Sequence, residues 1–217
     1  MLHWPDCRNV RDVGGMPTTD GGRTRRGALI RADDLAHLTT EGLAAVRSAG
    51  VSRVIDLRGS TETAELPGPF AEHPAYRWIP FIDEEAERLR DPEAESTVLA
   101  TYCGSVTRNA RNIVAGLRAV AGAPPGAVVV HCSAGKDRTG MLVALALTVA
   151  GVAPEDVAAD YAATAELNGC EADTMLGLLA HIADRYGGVP EYLARHGMAP
   201  DEVAALRDRL RNSAQCE

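Results

Sequence analysis

Lysine is nearly missing from this chain: of 22 basic residues only one, Lys136, is a lysine, and the rest are arginines. The bias toward Ala and Arg fits a GC-rich coding sequence. Against that bias the place of the single ammonium is informative, because a compact charge on a flexible stem does work that a planar guanidinium does not. Long apolar runs are also missing. No stretch approaches the ~18 consecutive apolar residues of a membrane span, and Met1 to Asp6 has no basic start leading into an apolar core, so neither a span nor a signal peptide is expected. The five cysteines are scattered without disulfide or zinc-ligand spacing. Cys7, Cys103, Cys170 and Cys216 read as bystanders in a reducing cytoplasm, and no metal or cofactor is expected. Positive charge is in deficit, with a net charge of −8, which argues against nucleic acid as a partner. Repeats and low-complexity tracts are absent, and 217 residues suit one domain over 1–217.

What is present centres on residues 128–140. The β-branched run Val128-Val129-Val130 leads through His131 to Cys132, then come Ser133-Ala134-Gly135-Lys136-Asp137-Arg138-Thr139-Gly140, then an apolar segment from Met141 to Ala150. That is strand, loop and helix. Backbone N–H groups of such a loop and of the first helical turn lack intrahelical partners and can converge on an anion. Cys132 opens the loop and Arg138 closes it, so a thiolate, a guanidinium fork and a ring of amides face one point. This is a device for attacking a phosphate monoester. It is not the nucleotide-binding glycine loop, whose Gly-Lys-Ser/Thr spacing is absent.

Cysteine, five residues, arginine and threonine resembles the signature loop of the cysteine-dependent protein tyrosine phosphatases. The fuller string from His131 to Gly140, with Lys136 and Asp137 before the arginine, resembles more narrowly the bacterial and fungal tyrosine phosphatase family, some members of which also accept phosphoinositides. Arg11-Asp12-Val13-Gly14-Gly15 with the block from Gly27 to Asp33 is similar to that family's N-terminal part, and Tyr186-Gly187-Gly188 with the helix after it is similar to its C-terminal part. The resemblance implies one α/β domain with a mainly parallel sheet flanked by helices. Strands alternating with helices point the same way.

Along the chain, Ala28 to Ile30 reads as a short strand, with Arg11 and Asp12 tying a loop to the sheet or, less simply, touching substrate. Thr39 reads as an N-cap, with a helix to Ser48 or Ala49 and Gly50 just past its end. Val51 to Leu57 reads as a strand whose carboxyl end places Asp56 and Arg58 at the site wall, with an Arg58–Glu62 or Arg58–Glu65 pair as the structural alternative. Tyr76 to Asp83 is a strand leading into an acidic, turn-rich loop that reaches Pro92. One helix is expected from Ser105 to Ala121, with Val106, Ile113, Val114, Leu117 and Val120 on its inner face. Others are expected from Pro154 to about Leu167, around Met175 to Tyr186, and from Pro200 to Leu210, while the short stretch between Leu167 and Met175 leaves little room for a helical lid. His37, His73, His181 and His196 show no ligand spacing.

The chemistry then follows. A thiolate, not a thiol, attacks phosphorus, and a helix N-terminus with nearby cations favours the thiolate. Cys132 is the expected nucleophile, the amides of Ser133, Ala134, Gly135, Lys136, Asp137 and Arg138 the cradle, and Arg138 the bidentate fork. Thr139 is expected to donate its hydroxyl to the sulfur and His131 to hold the loop. The product of attack is a phosphocysteine that water hydrolyses. The resemblance places the general acid on the loop after the strand preceding the signature strand, which by chain order is Asp83; Asp137 stands next and Asp56 third, and Asp83 could equally cap Glu84 to Arg90. Phosphotyrosine on protein is the expected substrate; a phosphoinositide or another small phosphate ester is the alternative. A thiol-redox or metal protein would need a second nearby cysteine, and a non-catalytic phosphate-binding module would usually lose Cys132 or Arg138. The arginine five residues on, together with the long C-terminal helices, favours a phosphatase over a sulfurtransferase, which also has a cysteine loop.

Overall fold

The computed structural model describes residues 2–164 and 170–211. Its elements, in chain order, are β1 (Arg11–Asp12), β2 (Leu29–Ala32), α1 (Thr40–Ser48), β3 (Val51–Asp56), α2 (Ser60–Glu65), β4 (Tyr76–Trp78), α3 (Glu84–Glu87), α4 (Val98–Arg108), α5 (Ala110–Ala121), β5 (Ala127–His131), α6 (Asp137–Val149), α7 (Pro154–Ala162), α8 (Ala172–Tyr186), α9 (Val189–Arg195) and α10 (Pro200–Leu210). The sheet runs β1-β2-β5-β3-β4, with only the β1–β2 pair antiparallel. This is the α/β architecture the sequence implied.

The signature strand β5 is central, which explains its composition. Val128 and Val130 face the large core built with helices α4 to α10, whereas Ala127 and Val129 face the smaller core under α1 with Trp4, Leu35 and Val46. A parallel strand covered on both faces needs a continuous apolar run rather than an alternating one. His131 lies level with Ala32 of β2 on one side and with Asp56 of β3 on the other, so Cys132 leaves the sheet at its carboxyl edge between two strand ends.

Local signals set several boundaries as read. Thr39 caps α1 by accepting from the Gly42 N–H, and Gly50 follows the helix with φ +66°. Pro154 and Pro200 open α7 and α10 in the first turn, where a missing N–H costs nothing. The helix expected from Ser105 to Ala121 is instead two helices. The first begins earlier, at Val98 behind the Thr97 cap, and the chain bends at Asn109 (φ −98°, ψ 14°) before α5 starts. Asn109 is fully buried, donates from Nδ2 to Ser105 Oγ at 2.9 Å, and accepts from the Asp83 N–H at 2.7 Å. All five predicted core residues of that stretch are buried, because the apolar period runs on through the bend. The helix from Pro154 closes at Ala162, short of Leu167; of the stretch between Leu167 and Met175, expected to leave little room for a lid, residues 167–169 lie outside the described residues and α8 already begins at Ala172. No helix among the described residues is long and apolar enough to cross a membrane.

Candidate active site

The loop after β5 is held open by its own carbonyls. Ser133 O accepts from the Asp34 N–H at 3.0 Å, and Ala134 O from Asn9 Nδ2 at 3.2 Å. Gly135 O accepts from Asn9 Nδ2 at 3.0 Å and from Arg31 Nη2 at 2.7 Å; Lys136 O accepts from the Gly140 N–H at 2.8 Å. A trans peptide carries its C=O and N–H on opposite sides. Each carbonyl tied to the scaffold, those of Ser133, Ala134 and Gly135, therefore turns the following N–H, those of residues 134 to 136, toward the space the loop encloses, while the Lys136 carbonyl starts the α6 ladder.

The groups holding those carbonyls are themselves held. Arg11 donates from Nη1 to Asn9 Oδ1 at 2.7 Å, fixing which end of that amide faces the loop. Asp160 of α7 bridges Arg11 Nε at 2.8 Å and Arg31 Nη1 at 2.7 Å. Arg31 has no exposed surface, and a buried guanidinium is tolerable only when paired and hydrogen-bonded. Gly135 closes the turn at φ +65°; a Cβ there would lie 2.5 Å from Ala32 O, so only glycine lets the loop sit against the end of β2. Arg11 thus reaches through Asn9 and Asp160 to the signature loop, a tie to α7 as well as to the sheet.

Cys132 is 2 % exposed at the base of the loop. Arg138, in the first turn of α6, donates from Nη1 to Glu62 Oε2 at 2.5 Å and from Nη2 to Glu62 Oε1 at 2.9 Å. Glu62 also accepts from the Ser133 hydroxyl and, at 2.7 Å, from the Gly59 N–H. The Arg138 bond, then the Ser133 and Gly59 bonds, hold the Glu62 carboxyl at about 2, below the usual carboxylate range. Neither pairing expected for Arg58 forms. Asp56 Oδ2 takes its Nη2 at 2.7 Å and Asp34 Oδ2 its Nη1 at 3.1 Å, which turns the side chain under the sheet edge and leaves Glu62 for Arg138.

Asp56, Arg58 and His131 form a buried cluster below the loop. Burial pushes the Asp56 carboxyl up, but Arg58 and His131 outweigh it and hold it below its ordinary value. Tyr76 donates its hydroxyl to the same carboxylate at 2.9 Å. His131 is pushed down by burial, against the opposing pull of Asp56 3.7 Å from its Nε2. An imidazole enclosed at 2 % exposure suits holding rather than proton transfer to substrate. Thr139 is fully buried and its hydroxyl makes no hydrogen bond, so it is not bonded to the sulfur in this arrangement.

The two leading acid candidates sit differently. Asp83 caps α3, its Oδ1 accepting from the Glu85 and Ala86 N–H groups at 3.0 Å each. Asp137 opens α6 with a side chain 46 % exposed, accepts from the Tyr102 hydroxyl, and has Lys136 Nζ 4.0 Å away. Asp137 and Arg138 line one wall of a cleft of about 490 Å³, with Ile82, Arg90 and Tyr102 among its other walls. Sequence reasoning passed over the roles of Asn9, Arg31 and Tyr102, and set Glu62 against Arg58 rather than Arg138. Only the N-terminal block drew attention to the first two, and nothing local pointed to Tyr102.

A central parallel strand ending in a cysteine, an amide-lined loop and an arginine at a helix start define a cysteine-dependent phosphatase, a phosphoric monoester hydrolase. The sequence matches the tyrosine phosphatase family over residues 2–212, and the chain belongs to that family. It is similar to a tyrosine-protein phosphatase of Nostoc commune, 28% identical over an alignment of 220 positions that covers 84% of this chain and 74% of that one. It is also similar to the triple specificity protein phosphatase PtpB of Mycobacterium tuberculosis, 32% identical over 191 residues covering 72% of this chain and 66% of that one.

Proposed function

We propose that Cys132 attacks the phosphorus of a phosphate monoester in line with the leaving oxygen, while the loop amides and Arg138 take up the equatorial oxygens. The observation that carries this is the outward anchoring of the Ser133, Ala134 and Gly135 carbonyls by Asp34, Asn9 and Arg31, which leaves the loop amides a preorganised set of donors at the point where Cys132 sits. The P–O bond to the leaving group breaks, the sulfur keeps the phosphoryl group, and water then cleaves the S–P bond. Asp137 serves as the proton donor to the leaving oxygen, supported by its place on the cleft wall next to Arg138. Asp83 is the weaker candidate because its carboxylate is committed to the α3 amides. Thr139 assists departure of the phosphoryl group from sulfur by turning its unpaired hydroxyl; His131, Asp56 and Arg58 support the loop from below.

For substrate, an aryl phosphate of the phosphotyrosine type is favoured by the near-complete burial of Cys132, which a long, flat side chain reaches more readily than a short one. A second reading, a phosphoinositide or other small ester with several anionic groups, is favoured by Lys136 and Arg90 near or on the cleft wall. The mycobacterial relative is named a triple specificity protein phosphatase, which favours a protein substrate without choosing among phosphorylated side chains. The whole chain acts as one domain. A reducing cytoplasm suits it, with Cys7, Cys103, Cys132 and Cys170 all free of disulfides among the described residues. The discriminating experiment is kcat/KM across phosphotyrosine peptides, phosphoserine peptides, inositol lipids and sugar phosphates. Highest efficiency on phosphotyrosine peptides supports the first reading. A clear preference for the multiply charged small esters replaces it with the second.

A further inference from the structure

We infer that Tyr102 is a positioning residue that fixes the carboxyl of Asp137 in its donor orientation, an inference that rests on the reading of Asp137 as the proton donor. Asp137 is the first residue of α6, and nearly half of its side chain faces solvent. A short, exposed aspartate has several staggered rotamers open to it unless something selects one. Tyr102 makes the selection. Its ring is buried on the inner side of α4, and its hydroxyl donates to Asp137 Oδ1.

The protons of the adjoining groups define the rest. A phenol has one proton to give. Tyr102 spends it on Asp137, so in the 2.8 Å contact between the two hydroxyls Tyr161 is the donor and Tyr102 the acceptor. Tyr161 belongs to α7 and is wedged against α6, where a Cβ added at Gly140 would lie 2.9 Å from its ring. The two rings meet edge to face with centroids 6.3 Å apart. The pair therefore ties α4 and α7 to the first turn of α6.

This fixes the regiochemistry of proton transfer. With Oδ1 occupied as an acceptor, the acid form of Asp137 carries its proton on Oδ2. As the P–O bond breaks, that proton passes to the leaving oxygen, and the carboxylate left behind keeps the Tyr102 bond. In the second step the same carboxylate receives a proton from the attacking water. Tyr102 itself neither gains nor loses a proton over the cycle.

The test compares Tyr102→Phe, Asp137→Asn and the double variant on phenyl phosphate, whose leaving group needs a proton, and on p-nitrophenyl phosphate, whose leaving group does not. Tyr102→Phe is expected to lose about ten-fold in kcat/KM on the first and under about two-fold on the second. Asp137→Asn is expected to show the same selectivity with a larger loss, and adding Tyr102→Phe to it to cost under about two-fold more. Equal losses on both substrates, or additive losses in the double variant, overturn the role of Tyr102 while leaving that of Asp137 intact. A selective loss missing from Asp137→Asn itself overturns the underlying reading and the inference with it. If Tyr102→Phe does not fold, Tyr161→Phe decides, since it removes the donor to Tyr102 and leaves the Asp137 contact. A smaller loss confined to phenyl phosphate supports the inference, and an unselective effect overturns it.

Discussion

Glu62 grips Arg138 end-on, taking one hydrogen bond from each terminal nitrogen of the guanidinium, and the same carboxylate takes the Ser133 hydroxyl of the signature loop. A guanidinium has five N–H donors in a rigid plane. Glu62 uses two, which leaves the Nε edge to meet two phosphate oxygens. The cost of fixing a long side chain is met before substrate arrives, and Arg138 waits in one orientation.

Replacing Glu62 by Ala is therefore expected to lower kcat/KM on an aryl phosphate by about ten-fold or more, with Glu62→Gln retaining part of it through one remaining acceptor. Steady-state kinetics on both variants checks this; unchanged kcat/KM in Glu62→Ala would remove Glu62 from the site.

The same pair predicts a pH signature. Glu62 is held at about 2 in the folded protein, below its ordinary carboxylate value. A depressed carboxylate stabilises the fold above its unfolded value, about 4.3, and loses that contribution as pH falls toward the folded one. The Tm difference between wild type and Glu62→Gln is expected to be constant from neutral pH to about 5 and to vanish near pH 2. More than a third of the side chain is exposed, so the plateau is small. A difference that grows in acid would contradict the assignment.

Asn9 is the donor to two loop carbonyls, and its replacement by Ala leaves Ala134 O without its donor and Gly135 O with Arg31 alone. An unsatisfied buried acceptor costs about 1–3 kcal/mol. Orthovanadate affinity, measured by titration calorimetry, is expected to weaken by about ten-fold in Asn9→Ala. Affinity equal to wild type would mean that the loop holds its shape without the anchor.

Two glycines separate strain from collision. Gly21 and Gly135 both have positive φ, yet a Cβ at Gly21 meets nothing within 4 Å while one at Gly135 strikes Ala32 O. Chemical denaturation is expected to show a loss of about 1 kcal/mol for Gly21→Ala and clearly more for Gly135→Ala, with activity lost only in the latter. Equal losses would place the whole cost in the backbone angle.

Lys136 tests the substrate. If its ammonium meets a second negative group, Lys136→Ala should lose far more kcat/KM on a multiply phosphorylated inositol lipid than on phenyl phosphate, a charged contact being worth about 1.5–3 kcal/mol. An equal loss on both would confine Lys136 to the field around Cys132.

The nucleophile, the fork and the central strand were legible because all three lie within one continuous stretch, 128–140, whose local pattern has few readings. Helix ends at Thr39, Gly50 and Pro200 were legible for the same reason. The break at Asn109 was not, since the apolar period continues across it and the partner its side chain takes there, the Asp83 N–H, lies 26 residues away. Glu62 was set against its near neighbour Arg58, but two aspartates draw that arginine beneath the sheet. The anchors of the loop were out of reach altogether: Asn9 and Arg31 meet carbonyls more than a hundred residues away, contacts that spacing alone does not encode.

The most direct measurement is rapid acid quench of the wild-type enzyme during turnover of a phosphorus-labelled aryl phosphate, followed by peptide mapping. The account predicts label on the peptide carrying Cys132, formed at a rate no slower than turnover and absent from Cys132→Ser, which still binds orthovanadate. Turnover at the wild-type rate by Cys132→Ser, or activity abolished by a chelator and restored by a divalent metal with no labelled cysteine, would contradict it.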